Sequence, residues 1–173
     1  MTVSILIGTT RTGRMSPRVA LMLNRELKKK AVSSRMVDLQ DLDVPIFKER
    51  LKYLQDPHPG IVNFAGVFLE SDTVIVVAPE YNGSYPGVLK NALDHLVTEY
   101  KGKKVAIATV SAGPNGGKDC FSALKTFFTR MGARVIEKHL QIISVQETVT
   151  QEGHDPQGRY KDDISEFIEI LKN

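Results

Sequence analysis

Residues 74 to 91, Val-Ile-Val-Val-Ala-Pro-Glu-Tyr-Asn-Gly-Ser-Tyr-Pro-Gly-Val-Leu-Lys-Asn, constrain this chain more than any other stretch, because an uninterrupted apolar run ends at a proline and gives way to a polar, aromatic, glycine-rich turn. Val74 to Ala78 is mostly β-branched and does not alternate, the pattern of a parallel strand covered on both faces. Val88, Leu89, Ala92, Leu93 and Leu96 then recur at helical spacing, so the stretch reads as strand, loop and helix. The loop is longer than a connection requires. Pro79, Gly83, Pro86 and Gly87 fix or free its backbone, while Glu80, Tyr81, Asn82 and Tyr85 supply groups that hydrogen-bond or stack. It leaves the carboxyl end of a strand, where open α/β sheets bind ligands. A plain connector needs neither two aromatics nor an amide, so a functional loop is the stronger reading.

The remaining chain repeats the same alternation. Val3 to Ile7 is an apolar run closed by Gly8, and a helix is expected from Ser16 and Pro17, with Val19, Leu23 and Leu27 on one face. A second strand is expected over Ser34 to Val37, an irregular stretch over Pro45 to Asp56, and a helix over Asn63 to Leu69. Val105 to Val110 forms the next buried strand and the Ser111 to Gly117 loop follows it. Phe121, Leu124, Phe127, Phe128 and Met131 mark a helix ended by Gly132, and Val135 to Ile143 supplies a last strand. A turn-rich segment over Gln151 to Tyr160 leads to a closing helix carrying Ile164, Phe167, Ile168 and Leu171. Five strands alternating with helices imply a doubly wound parallel sheet of order 2-1-3-4-5 with helices on both faces. In that order the loops after Gly8, Ala78 and Val110 converge on one crevice.

Length and composition close off other classes. A chain of 173 residues is the size of one domain and can bury about 70% of the surface its unfolded form exposes, so a single domain over residues 1–173 is expected. No stretch approaches the roughly 20 apolar residues of a membrane span. Met1 runs directly into Val3 to Ile7 without a basic or cleavable leader, so the cytoplasm is the expected location. Cys120 is the only cysteine, which excludes an internal disulfide and a cysteine metal cage, and it is expected as a small buried helix residue. The four histidines, His58, His95, His139 and His154, have no paired ligand spacing, so no metal is expected. The net charge of +3 is modest and Lys28 to Lys30 ends a helix where cations suit the dipole, so no nucleic-acid partner is expected.

The loop after the first strand, Gly8-Thr9-Thr10-Arg11-Thr12-Gly13-Arg14-Met15-Ser16, places hydroxyls, free backbone N–H groups and two guanidiniums at the positive end of a helix dipole. That set suits a terminal phosphate. Arginine contacts of about 1.5–3 kcal/mol each outweigh the roughly 0.3–1 kcal/mol of the dipole, so Arg11 and Arg14 matter more than the helix. The turn has two glycines where a dinucleotide fingerprint has three, although Asp38 resembles that motif's ribose-binding acid. Gly117-Lys118 is followed by Asp119, which excludes a nucleotide P-loop, and the chain has no Gly-x-Ser-x-Gly elbow. A receiver domain would carry acidic residues where Gly8, Thr9 and Thr10 stand.

With these loops assembled, Gly8 to Arg11 through Ser16, the run from Pro79-Glu80-Tyr81-Asn82-Gly83-Ser84-Tyr85-Pro86-Gly87 to Asp94, and the Ser111 to Gly117 loop resemble the NADPH-dependent FMN reductase family. The likeness extends from the first strand to the final helix. It implies a flavodoxin-like fold, bound FMN, and NADPH or NADH as co-substrate. The implied reaction is two-electron reduction of a small-molecule acceptor: a flavin, quinone, azo dye or oxidised metal species. By position, Thr9, Arg11 and Ser16 are implied to hold the FMN phosphate with Pro17 and Arg18 beside it. Pro79, Glu80, Tyr81, Asn82 and Gly83 are implied to line the ring, and Ser111, Gly113 and Gly116 to border its far edge. Arg14, Asn82 and Tyr85 are assigned to the substrate side. Thr9 stands where the family often has serine, which keeps the hydroxyl, and Gly83-Ser84-Tyr85 lies in its most variable part. The resemblance also implies a homodimer or homotetramer.

Hydride transfer is the cofactor's chemistry, so no catalytic side chain is required and Glu80 reads as structural rather than as a base. One exposed ring face implies that nicotinamide and acceptor use the same space in turn, a ping-pong sequence. Two functional readings stand at this stage: a reductase with its own nicotinamide reaction, and an FMN-binding electron-transfer or regulatory module without one. Small electron carriers of the flavodoxin group are commonly acidic and this chain is slightly basic, which favours the enzyme. The first loop caps a terminal phosphate but lacks the fingerprint that cradles a pyrophosphate, so FMN and not FAD is expected to co-purify. Mass analysis of released flavin checks this, and finding FAD alone would contradict it.

Overall fold

The sheet is built around β3 (Thr73–Pro79), in which every residue from Thr73 to Ala78 is buried. The computed structural model describes residues 1–172. β3 pairs in parallel with β1 (Thr2–Ile7) on one side and β4 (Lys104–Val110) on the other; β2 (Ser33–Asp38) lies outside β1, and β5 (Arg134–Val135) lies outside β4. The order is therefore β2-β1-β3-β4-β5, as the alternation of strands and helices predicts. The last strand differs from expectation. Val135 to Ile143 is not continuous: β5 is followed by β6 (Leu140–Ile142), and both pair with β4. Val105 opposes Val135 and Ala108 opposes Leu140, so three steps along β4 face five along its partner, and the two surplus residues bulge out between Ile136 and His139.

Two apolar layers cover the sheet. Ile5, Ile7, Ile75, Val77 and Ala108 face α1 (Ser16–Lys29) and α6 (Lys161–Lys172), through Val19, Leu23, Leu27, Ile164 and Phe167. Leu6, Val74, Val76 and Ile107 face α2 (Pro59–Leu69), α3 (Gly87–Asp94) and α4 (Lys118–Arg130), through Phe64, Phe68, Leu89, Leu93, Leu124 and Phe128. Successive strand residues thus serve opposite layers, which is why β3 shows no polar alternation. Cys120 is fully buried in the second layer, as expected for a small helix residue. α1 begins at Ser16, with Pro17 in its first turn. Among the described residues no helix is long and apolar enough to cross a membrane.

The turn-rich segment before α6 is a clasp on α1. Arg25 donates to the carbonyls of Gly153 at 2.8 Å and Glu152 at 2.9 Å, and Arg18 donates to the carbonyl of Val149 at 3.1 Å. Gly153 has φ +71°, and a Cβ there would stand 2.6 Å from the Arg18 carbonyl oxygen and 2.8 Å from the Met22 nitrogen. A side chain therefore meets backbone that cannot yield, in a conformation costly for any other residue. Gly153→Ala should lower the unfolding free energy by about 2–4 kcal/mol, the sum of overpacking and left-handed strain. Denaturant titration checks it, and a loss below about 0.5 kcal/mol, typical of an ordinary surface change, would contradict it.

Candidate functional site

The loops after β1, β3 and β4 leave the same edge of the sheet and enclose a cleft of about 270 Å³. Its walls include Arg11, Arg14 and Ser16 from the first loop, Pro79, Glu80 and Tyr81 from the second, and Ser111 and Ala112 from the third. This convergence follows from the register: Ile7 pairs with Val77, and Pro79 with Val110.

At the amino end of α1, Met15 precedes the helix and gives no side-chain cap, so the first-turn N–H groups are left for another acceptor. Ser16 is 1% exposed and its Oγ has no hydrogen-bond partner among the described residues. A buried hydroxyl without a partner costs roughly 1–3 kcal/mol. Arg11 is exposed, makes no ion pair among the described residues, and sits with its guanidinium carbon 5.9 Å from the centre of the Tyr81 ring. Beneath them Thr9, 1% exposed, shares a 3.0 Å hydrogen bond with the Tyr81 hydroxyl, joining the first loop to the second.

Arg14 departs from the expectation that assigned it to the substrate. Its guanidinium turns inward, makes a two-pronged pair with Asp38 at 2.6 Å for each bond, and donates to the Thr9 carbonyl at 2.5 Å. Both side chains are largely covered, at 15% and 18% exposure, so this pair is held far better than a surface salt bridge. The same contact accounts for Asp38, whose carboxylate is taken by Arg14 rather than open to a ribose. Arg18 is likewise committed, to the Val149 carbonyl, and Pro17 lies within the first turn of α1.

Glu80 faces α4. Its Oε2 accepts from the backbone N–H of Asp119 at 3.0 Å and of Cys120 at 3.2 Å, placing a carboxylate on the first turn of that helix. The sequence reading of Glu80 as structural agrees with this geometry. Tyr81 and Ser84 close a two-residue hairpin by exchanging backbone bonds of 2.8 and 3.1 Å. Asn82 and Gly83 at its tip have φ +53° and +74°, the left-handed pair such a turn demands. The hairpin aims Tyr81 at the cleft, whereas Tyr85 falls outside it. Tyr85 packs against the second apolar layer and lines a separate groove of about 550 Å³ with Gly83, Asp119 and Phe127. Burial, with help from Asp94 and Cys120, pushes its hydroxyl pKa up to about 12. The alternation through the turn sends Tyr81 and Tyr85 to different sides, which residue type alone does not disclose.

Ser111 Oγ donates to the Gly113 carbonyl at 2.9 Å and accepts from the Gly113 N–H at 3.1 Å, which curls the start of the third loop. Gly116, with φ +67°, is buried against Gln141 and Ile143 rather than at the cleft. Among the described residues no group of acidic, histidine and cysteine side chains is arranged to hold a metal. Sequence reasoning missed Met15, Val110, Val145 and Gln146, which also line the cleft. Val145 and Gln146 belong to a short helix α5 (Val145–Thr148) after β6; the topology gave a usable signal, because the loop after a fifth parallel strand leaves from the same edge.

Residues 1–147 match the family model described as NADPH-dependent FMN reductase. The chain is 29% identical over 150 residues to the NAD(P)H-dependent FMN reductase LOT6 of Saccharomyces cerevisiae, covering 79% of this chain and 78% of that protein. It is 32% identical over 139 residues to a quinone reductase of Escherichia coli, covering 77% and 72%. Among solved structures, FerB, a flavoenzyme NAD(P)H:(acceptor) oxidoreductase from Paracoccus denitrificans, superposes with a TM-score of 0.83 at 22% identity over 98% of this chain and 94% of that one. A flavodoxin from Pseudomonas aeruginosa does so at 0.63 and 18% identity, covering each chain completely. These superpositions establish a flavodoxin-like fold.

The two arginines of the first loop should separate in a stability measurement. Arg14→Ala leaves Asp38 covered and without its cation and should cost about 1–3 kcal/mol of unfolding free energy. Arg11→Ala, on an exposed and unpaired side chain, should change it by less than about 0.5 kcal/mol. Equal losses in denaturant titrations of the two variants would contradict this division.

Proposed function

Because the chain belongs to the NADPH-dependent FMN reductase family, we propose that it is an NAD(P)H-dependent oxidoreductase that binds FMN in the cleft between the loops after β1, β3 and β4. The observation that carries this reading is the amino end of α1. An uncapped first turn, a buried Ser16 hydroxyl without a partner and an unpaired Arg11 guanidinium face one another there. These donors suit a phosphate monoester, which supplies several acceptor oxygens and a double negative charge. FMN ends in such a group, so the residues fit the cofactor. Thr9, Arg11 and Ser16 would hold the phosphate, and Pro79, Glu80, Tyr81 and Ser111 would border the ring.

Bound FMN supplies two-electron hydride chemistry, and the protein's task is placement. Glu80 serves that task indirectly: its carboxylate fixes the second loop to α4 through two backbone N–H groups, so it has no free role as a base. Tyr81, anchored by Thr9 below and by the hairpin behind, offers a rigid aromatic wall that keeps water from one side of the cleft. The acceptor is a small molecule of the flavin, quinone, azo or oxidised-metal class. Nicotinamide and acceptor are proposed to use the one open side in turn, which gives ping-pong kinetics. We further propose that the groove beside Gly83 and Tyr85 and the adjoining face of α3 meet a second copy of the chain, as a homodimer or a dimer of dimers.

Arg11→Ala should weaken FMN binding roughly ten- to a hundredfold through loss of a charge-assisted contact. Titration of the apo-protein with FMN, followed by quenching of flavin fluorescence, measures it. Unchanged affinity would remove Arg11 from the phosphate site and with it the observation on which the assignment rests.

A further inference from the structure

His139 closes the bulge between β5 and β6, directly before Leu140, and reaches under the third loop of the cleft. Its ring stacks on Phe121 with centroids 4.1 Å apart and planes inclined by 13°. Nε2 lies 2.6 Å from Thr109 Oγ1, and Nδ1 lies 3.0 Å from Gln141 Nε2. Thr109 Oγ1 donates to the carbonyl of Gly116 at 2.5 Å. The Thr109 hydroxyl has one hydrogen, and the Gly116 carbonyl takes it. Nε2 must therefore be the donor to the Thr109 oxygen, and Nδ1 the acceptor from the Gln141 amide. Only a neutral imidazole with its proton on Nε2 satisfies both contacts. The loop also packs directly on Thr109: Gly117 has φ +71°, and a Cβ there would stand 2.8 Å from the Thr109 Cβ.

We propose that His139 is a positioning residue for the reductase: as a neutral imidazole it locks the returning limb of the Ser111–Gly117 loop through Thr109 and Gly116, and so fixes the third wall of the cleft. Bulges of this kind turn a side chain out of the ladder to serve a neighbouring site, and this one delivers His139 to the loop that bounds the cleft. The consequence for FMN rests on the preceding functional reading; the lock on the loop does not. The surroundings of the ring favour the neutral form. Burial first, and then Lys118 at the start of α4, bring the His139 pKa from 6.5 down to about 4. Of the other groups facing it, Arg159, Tyr160 and Asp163 line the adjoining hollow with Gln141. Asp163 is held by Lys138, which also binds Glu166, and Glu137 is held by Lys125, so each of these carboxylates already has a lysine partner. The unfolded chain takes up a proton near pH 6.5, whereas the folded chain resists until about pH 4. The lock is at full strength above the first value and is lost as pH falls toward the second.

Amide hydrogen exchange of the apo-protein tests the lock without FMN. His139→Phe keeps a ring against Phe121 but removes both hydrogen bonds, and Thr109→Val removes the same link from the other side. Each should lower the protection of the Gly113 amide, hydrogen-bonded to Ser111, and of the buried Gly116 and Gly117 amides by about tenfold, the equivalent of one buried hydrogen bond. His139→Gln retains a donor for Thr109 and should restore most of it. Wild-type protection of that loop should fall between pH 6.5 and 4, and the Gln variant's should not. In FMN titrations the Phe and Val variants should bind the cofactor about tenfold more weakly and the Gln variant near normally. Unaltered loop protection in both the Phe and the Val variants overturns the proposal, as does a loosened loop with wild-type FMN affinity. Wild-type protein that binds no FMN overturns the functional reading instead, while the exchange result still decides the lock.

Discussion

The parallel register of β1, β3 and β4 is the constraint on which the rest depends. Each of Val74 to Ala78 is fully buried, and burying a valine or isoleucine side chain stabilises by about 1.5–3 kcal/mol, so this strand anchors both apolar layers at once. A slip of one residue would exchange its two faces and bring Val74 and Val76 against α1 in place of Ile75 and Val77. The register that prevents this also sets Ile7, Pro79 and Val110 along one edge, and the three loops that follow have no choice but to meet.

Charge at that edge is distributed unevenly, and the unevenness makes a site. Two of the helices that begin there, α1 and α4, differ in what meets their amino ends. α4 receives the Glu80 carboxylate from within the chain, whereas α1 receives none. Of the two guanidiniums in the first loop, Arg14 is neutralised by Asp38 and Arg11 is not. One helix end and one cation thus stabilise the fold, and one of each is left for an anion. The neutral His139 beneath the third loop belongs to the same division: its proton holds backbone in place rather than serving a reaction.

Most of the fold was legible because burial dictates it. The run Val74 to Ala78, the helical spacing from Val88 and the Gly8 and Ser111 loops each signal their element through periodicity that no tertiary contact overrides. The site was legible only as a set of neighbours. Arg11, Ser16, Pro79, Glu80, Tyr81 and Ser111 do line one cleft, but the direction of Arg14 depends on Asp38, brought alongside by strand pairing. Tyr85 lies outside that cleft for a similar reason, since the hairpin at Asn82-Gly83 decides which side each tyrosine takes. The break between β5 and β6 falls on Glu137-Lys138-His139, three polar residues that interrupt the apolar run, but its geometry depends on contacts distant in sequence, since His139 at the end of the bulge is held by Thr109 and Gln141.

The central claim is that the chain itself carries out a nicotinamide reaction on FMN held at the open end of α1, and one anaerobic experiment addresses it. The FMN-loaded protein is mixed with NADPH, and separately with NADH, in the absence of any acceptor, and the visible flavin absorbance is followed. The account predicts complete bleaching by at least one nicotinamide without another protein present. Colour that persists until a partner reductase is added would contradict it and would mark the chain as an electron-carrying module instead.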